Sequence, residues 1–390
     1  MEQEQKSVEY KVRPAREQEL DAEGIAGAYN AVYEDYPFVA FTDPEMVEEE
    51  VIPGEGSDNF VVEVAGGQEV EGEEIPEDTV VGTGSVKYHR DGHEAEFGGI
   101  VLDPEFQEMD GAPFYQDLVD QRVETARQSD ADRYVTHPVS SVHAKTQHGH
   151  EKKGAVPEGV SLNKYPEVFA GEGRETVVPM VYPDGNFEYT GENSREVYVT
   201  DENIGLVDHV HSSLNEERDE RVAREFEVGS GGSTDTGYRV EQKTYDDETG
   251  EMASFRILHG GEHSLDDVMS ALDPEKQVEE SEEDEAYSIE QALEDDSIRW
   301  VGVEFDANHQ SAWDVADRLS DAGFNPERYS PEAINYGDEV SDAMGYQFHK
   351  DGTGEIQLID SAEEALEATG TEYSDHGQGP VEGVRNVSVS

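Results

Sequence analysis

The sequence predicts an α/β chain of mixed sheets flanked by helices, arranged as two similar halves. Three observations predict it. Short apolar runs of strand character alternate with segments whose apolar residues recur at helical spacing. The order strand, helix, glycine, strand occurs twice: WVGVEFDANHQSAWDVADRLSDAGFNPERYSP repeats the rhythm of YVTHPVSSVHAKTQHGHEKKGAVPEGVSL, the pattern of a divergent internal duplication. The length, 390 residues, allows two domains of ordinary size.

The first half opens with YKVRPA (10–15), a short edge strand, and a helix over 17–33 with Leu20, Ile25, Ala28, Tyr29 and Val32 on one stripe. FVVEVAG (60–66) and VVGTGSVKYH (80–89) read as strands, and the acidic GQEVEGEEIPED between them as an enlarged hairpin loop. EAEFGGIVLDP (94–104) is a further strand that must end by Pro104. After Gly111, Phe114, Leu118, Val119, Val123 and Ala126 form the apolar face of a helix, with Asp117, Asp120, Gln121 and Glu124 on the other side, so this helix packs on a sheet. RYVTH (133–137) resumes a strand, and residues 140–154 read as a short polar helix closed by Gly154.

The second half follows AGEGRE (170–175). VVPMVYP (177–183) and REVYVT (195–200) read as strands, and 201–217 as a helix with Ile204, Val207, Val210 and Leu214 on one stripe and Asp201 as N-cap. YRVEQKTY (238–245) and MASFRILH (252–259) form a hairpin; the strand 297–306, the helix 311–323 and the strand 344–349 continue the rhythm. PEKQVEESEEDEAYS is a charge run that reads as a solvated loop or helix start. These readings give domains at 1–175 and 176–373, with 374–390 as a flexible tail.

Charge bounds the function classes. There are 93 acidic against 27 basic residues, a net charge of -66, spread through every segment and not gathered in one tail. Such a distribution points to solvent adaptation of the salt-in halophilic kind, with salt screening the self-repulsion. The same field repels nucleic acid and anionic membranes, so neither is an expected partner. The absence of cysteine excludes disulfides, thiolate nucleophiles and Cys-ligated metal centres. No apolar run is long enough to cross a bilayer, and MEQEQKSVEY lacks the features of a signal peptide, so a cytoplasmic location is the expectation.

The stretch FQEMDGA (106–112) joins a strand to an amphipathic helix. Backbone N–H groups at such a helix start, backed by the positive end of the helix, suit a phosphate. An ordinary capped junction, with Asp110 as the cap, is the alternative reading. LDPEFQEMDGA resembles the acyl-CoA pyrophosphate loop of the GCN5-related N-acetyltransferases, in which Gln/Arg-x-x-Gly-x-Gly/Ala follows a strand. Gln107 falls on the first position, Asp110 on the middle glycine and Ala112 on the last small residue. YKVRPA resembles that family's opening strand, 17–33 its first helix, and HEKKGAVPEG its closing helix-Gly-strand. VYVTDENIGLVDHVHSSLN and DAGFNPERYSPEAINYGDEVSDAMGYQFH resemble the second half of a two-part subgroup, in which a degenerate acetyltransferase-like unit follows the first.

The resemblance implies tandem acetyltransferase-like domains, acetyl-CoA as cosubstrate and a small-molecule or protein amine as acceptor. It places the cofactor at Leu102, Gln107, Glu108, Met109, Asp110, Gly111 and Ala112. It makes Glu96 the carboxylate that accepts the amine proton, and puts His150 where many relatives have a tyrosine that protonates the departing thiolate. Asp110 departs from the pattern by setting a carboxylate beside the phosphate path, which keeps open a non-catalytic binding or regulatory protein of the same fold. His143, Gln147 and His150, at spacings of four and three, share one side of their helix as a candidate polar wall. His137, His143, His148 and His150 match no defined zinc spacing, and no metal is expected. Ser140 and Ser141 lack a G-x-S-x-G elbow, and Trp300 and Trp313 read as packing residues. The acceptor and the oligomeric state are not legible.

Overall fold

The computed structural model describes most of residues 9–389; it leaves out 1–8, 108–113, 141–143, 166–173, 184–195, 218–226, 229–236, 246–251 and 269–288, with single residues and short loop runs besides. The chain forms two compact units, Met1–His137 with Asp184–Asn186, and Pro138–Pro183 with Phe187–Ser390. It is α/β, with mixed sheets flanked by helices.

In the first unit the strands β1 (Tyr10–Pro14), β2 (Ser57–Val64), β3 (Thr79–His89), β4 (Glu94–Leu102) and β5 (Arg133–Ser140, its last three residues in the second unit) lie side by side in chain order. The first four are antiparallel, and β5 runs parallel to β4. Helix α1 (Glu19–Val32) lies on one face, with Ile25, Ala26 and Tyr29 packed with Val61 and Val101. Helix α2 (Phe114–Gln128) lies on the other: Gly84, one residue on from Thr83, the partner of Val61, faces Leu118 and Arg122. The α2 stripe is the one read from the sequence, with Arg122 buried among it. On α1, Leu20 is 53% exposed despite its place on the expected stripe, because the buried face runs through Ala22, Ile25, Ala26 and Tyr29, on the opposite side of the helix. The acidic insertion is a hairpin, Glu69–Val70 against Glu73–Glu74.

In the second unit, α3 (Lys145–Glu151) is shorter than the expected helix and leads through Gly154, at φ 86°, to β6 (Val156–Pro157) and β7 (Ser161–Tyr165). Both pair with β8 (Glu175–Tyr182). Among the described residues of the expected strand 195–200, Glu196–Val197 pair with Glu227–Val228. Helix α4 (Ile204–Glu217) buries Val207, Val210 and Leu214. The expected cap, Asp201, lies outside the described residues, and Asn203 precedes the first helical residue. A five-stranded sheet follows in the order β9 (Tyr238–Tyr245), β10 (Met252–His259), β11 (Trp300–Asp306), β13 (Val340–His349), β12 (Asn325–Asn335), with α5 (Ala312–Asp321) between β11 and β12. Helix α5 exits through Gly323 at φ 88°, the same left-handed turn as Gly154, so the repeated helix-Gly-strand pattern is a repeated backbone conformation.

Gln347 of β13 accepts from Leu162 N at 2.7 Å and donates to Val160 O at 2.9 Å, fastening β7 to this sheet. The segment expected as a tail, 374–390, contains strands. Residues Tyr373–Gln378 and Val384–Val389 are strands β15 and β16, which complete a sheet with β14 (Glu355–Ile359) beside helix α6 (Asp360–Ala368). Trp300 is buried and Trp313 is 38% exposed. Among the described residues no helix is long and apolar enough to cross a membrane.

Candidate functional site

Strands β4 and β5 fork. They pair in parallel only at Glu94↔Arg133, Ala95↔Tyr134 and Glu96↔Val135, although β4 runs on to Leu102. One step further the Thr136 hydroxyl donates to Phe97 O at 3.0 Å, a side chain standing where a backbone N–H would continue the ladder. The β5-facing edge of Gly99, Ile100 and Val101 is thus not paired with β5.

The fork coincides with a bulge in β4. Thr83 pairs with Val101 but Ser85 with Gly98, so β4 carries one extra residue here. Gly99 adopts φ 60°, and a Cβ on it would lie 3.0 Å from the Tyr29 hydroxyl, so both backbone and space call for glycine. Beneath the bulge Arg122 Nη1 donates to Gly98 O at 3.1 Å, and its guanidinium lies 5.6 Å from the Phe97 ring centre. Ser85 Oγ donates to the same carbonyl at 3.2 Å.

Two carboxylates share one face of β4 by period two, and their surroundings separate them. Glu94 is buried and ion-paired to the buried Arg133, directly across the parallel register. Glu96, at the last rung before the fork, is partly exposed and shares a 2.7 Å hydrogen bond with His89 Nε2. That bond raises the His89 pKa above the ordinary imidazole value; burial opposes it, Glu96 and Glu94 add to it by charge and Lys87 subtracts. Tyr29, Tyr33, Tyr36 and Phe41 cluster beside the bulge, with the ring centres of Tyr29 and Tyr36 4.8 Å apart and those of Tyr29 and Phe41 5.1 Å apart.

Of the cofactor-loop residues, Leu102 ends β4 and is nearly buried, and Gln107 ends a helical turn, Pro104–Gln107, whose start is capped by Asp103 through Glu105 N. Glu108, Met109, Asp110, Gly111 and Ala112 lie outside the described residues, as does His143. His150, in the second unit, is buried and shares a 2.6 Å hydrogen bond through Nδ1 with the Tyr182 hydroxyl. Gln147 is buried too, and accepts from Ile359 N. His148 pairs with Glu151. Among the described residues no group of His, Asp and Glu is arranged to hold a metal ion.

The sequence reading missed His89, Thr136 and Arg122. His89 lies opposite Glu94 in register and reaches Glu96 diagonally, a contact that follows from Glu94 being taken by Arg133.

No protein-family model matches the chain, and no curated protein matches it. Solved structures do. A chimera of the spermidine N-acetyltransferase SpeG from Vibrio cholerae and hSSAT is 20% identical, with 44% of this chain and 94% of that chain covered and a TM-score of 0.34. The dodecameric Vibrio cholerae spermidine N-acetyltransferase in an intermediate state is 18% identical, with 47% and 98% covered and a TM-score of 0.34. The same enzyme in complex with manganese ions is 21% identical, with 44% and 91% covered and a TM-score of 0.33.

Proposed function

We propose that the protein is an acyl-CoA-dependent N-acetyltransferase that moves an acetyl group from acetyl-CoA to an amine, with residues 1–175 as the cofactor-binding half and 176–373 as a degenerate partner half. The observation that carries this reading is the fork after Glu96. It presents a strand edge, at Gly99 to Val101, to an extended amide-bearing chain such as the pantetheine arm, and sets a carboxylate at its root. The small residues Gly98 and Gly99 leave the backbone open to close approach. Residues Gln107 to Ala112, ahead of α2, are the proposed pyrophosphate contacts.

Acetyl-CoA supplies the activated thioester. The chain's own residues move protons: Glu96 accepts the proton of the amine, and the resemblance alone assigns to His150 the donation to the departing thiolate. The acceptor class stays open among amino acids, polyamines, sugar amines and protein lysines.

The test is titration calorimetry with acetyl-CoA in multimolar KCl, beside an Ala112→Trp variant, followed by thiol release with spermidine, lysine methyl ester, glucosamine and 2-phenylethylamine. Binding lost in the variant, with turnover of one amine, supports the proposal. Saturable binding without turnover of any amine favours the non-catalytic reading to which Asp110 points. No binding at millimolar acetyl-CoA sinks acetyl transfer and leaves the non-catalytic reading, with Asp110 marking a lost cofactor site.

A further inference from the structure

We infer that His89 is the proton exit of this site: a positioning residue that receives from Glu96 the proton taken from the substrate amine and releases it to solvent. The inference rests on the acetyl-transfer reading and deepens it.

Proton balance sets the need. An ammonium and a thioester give an amide, a thiol and one proton: the N–S exchange forms the C–N bond and breaks the C–S bond, the amine loses two protons, and the thiolate takes back one. The remaining proton must reach water. Glu96 is only 18% exposed in its side chain, whereas His89 is 44% exposed, so the 2.7 Å contact between them joins the site to solvent. Glu94 cannot serve in this way, since it is buried and held by Arg133.

In the step, the Glu96 carboxylate accepts the amine proton. Once protonated, Glu96 donates to Nε2 of neutral His89 in its Nδ1–H tautomer, the resulting imidazolium releases its Nδ1 proton to water, and proton exchange of the exposed ring with solvent restores the Nδ1–H tautomer for the next turnover. Neutral His89 is required at the start, so turnover rises with pH through the imidazole titration. The hydrogen bond to Glu96 displaces that titration upward, the charges of Glu96 and Glu94 add to it, and burial and Lys87 oppose it. A glutamine at this position donates to Glu96 but takes no proton.

The experiment is a set of pH–rate profiles for the full chain, with acetyl-CoA and whichever amine of the panel it turns over, for wild type, H89Q, and H89A with and without added imidazole. We expect H89Q to lower kcat about 10- to 100-fold near neutral pH and to lose the wild-type acid limb, with the KM for acetyl-CoA unchanged. Imidazole is expected to restore H89A, which a purely structural histidine would not allow. H89Q with the wild-type kcat and pH profile overturns the proton exit and leaves acetyl transfer standing. Wild type inert toward every amine of the panel overturns both.

Discussion

Two parallel strand pairs hold the same place in the chain order of the two halves, β4 with β5 and β10 with β11, and they differ in how far they stay paired. The second pair is closed: six successive residues, Met252 to Ile257, pair with Trp300 to Phe305. Its end is sealed by His259 Nδ1 against Asp306 Oδ2 at 3.1 Å, with the His259 ring stacked on His309 at 4.2 Å. Its flank is buttressed by Glu304, which accepts from Arg256 Nε at 2.8 Å and from Arg328 at 2.9 Å. The first pair stops after three rungs and carries a bulge, a left-handed glycine and a partly exposed carboxylate at the break. A closed ladder satisfies its own backbone groups and has nothing to offer a ligand, while an interrupted one offers an edge. The same chain order thus serves as scaffold in one half and as candidate site in the other.

The comparison can be broken most forcefully at the closed pair. Arg256→Met, which strips one cation from buried Glu304, is expected to cost about 3 kcal/mol in denaturant unfolding and to leave acetyl-CoA binding unchanged. A loss of binding at preserved folding would move the site into the second half. Glu96→Gln at the open pair is expected to lower kcat about 100-fold with acetyl-CoA affinity retained, measured by thiol release; full activity would remove the carboxylate from the mechanism. Gly99→Val should weaken acetyl-CoA about tenfold by calorimetry, since a left-handed β-branched residue costs about 1–3 kcal/mol and straightens the bulge. Its counterpart, His259→Gln, should change neither affinity nor rate by more than about twofold, since the pair it loosens carries no step.

The smallest expected effect is a pH-dependent one. Because the folded-state pKa of His89 is raised, the stability it lends is complete below the unfolded imidazole pKa and is lost as pH rises through the folded value. Wild type should therefore exceed H89Q in unfolding free energy on the acid side by at most about 0.5 kcal/mol, after allowance for solvent screening of a half-exposed pair. The two should converge above that titration. A gap that widens with pH would reverse the sign of the His89–Glu96 coupling.

Much of this architecture was legible because it rests on local periodicity. The α2 stripe, the hairpin of β9 and β10, the strand stop at Pro104 and the glycine exits at Gly154 and Gly323 all express sidedness or backbone conformation written in consecutive residues. Glu96 was legible as the carboxylate to which the resemblance assigns the amine proton. What separates it from Glu94 was not, because the separation is made by Arg133, 39 residues downstream, a partner that no spacing reveals. Arg122 was missed for a related reason. A charged residue on a helix reads as solvent-facing until the carbonyls of Ser85 and Gly98 are seen to surround it. The roles of Gln107 to Ala112 and His143 rest on their motif positions.

The strand order of the small C-terminal sheet has a consequence for how the chain is made. There β16 lies between β14 and β15, although it is the last of the three in sequence. During synthesis neither outer strand has a partner in this sheet until residues 384–389 have left the ribosome, so the sheet closes from its centre and in a single late event. A nascent chain stalled before Val384 would carry β14 and β15 as two open edges, the form in which strands most readily pair with a neighbouring chain.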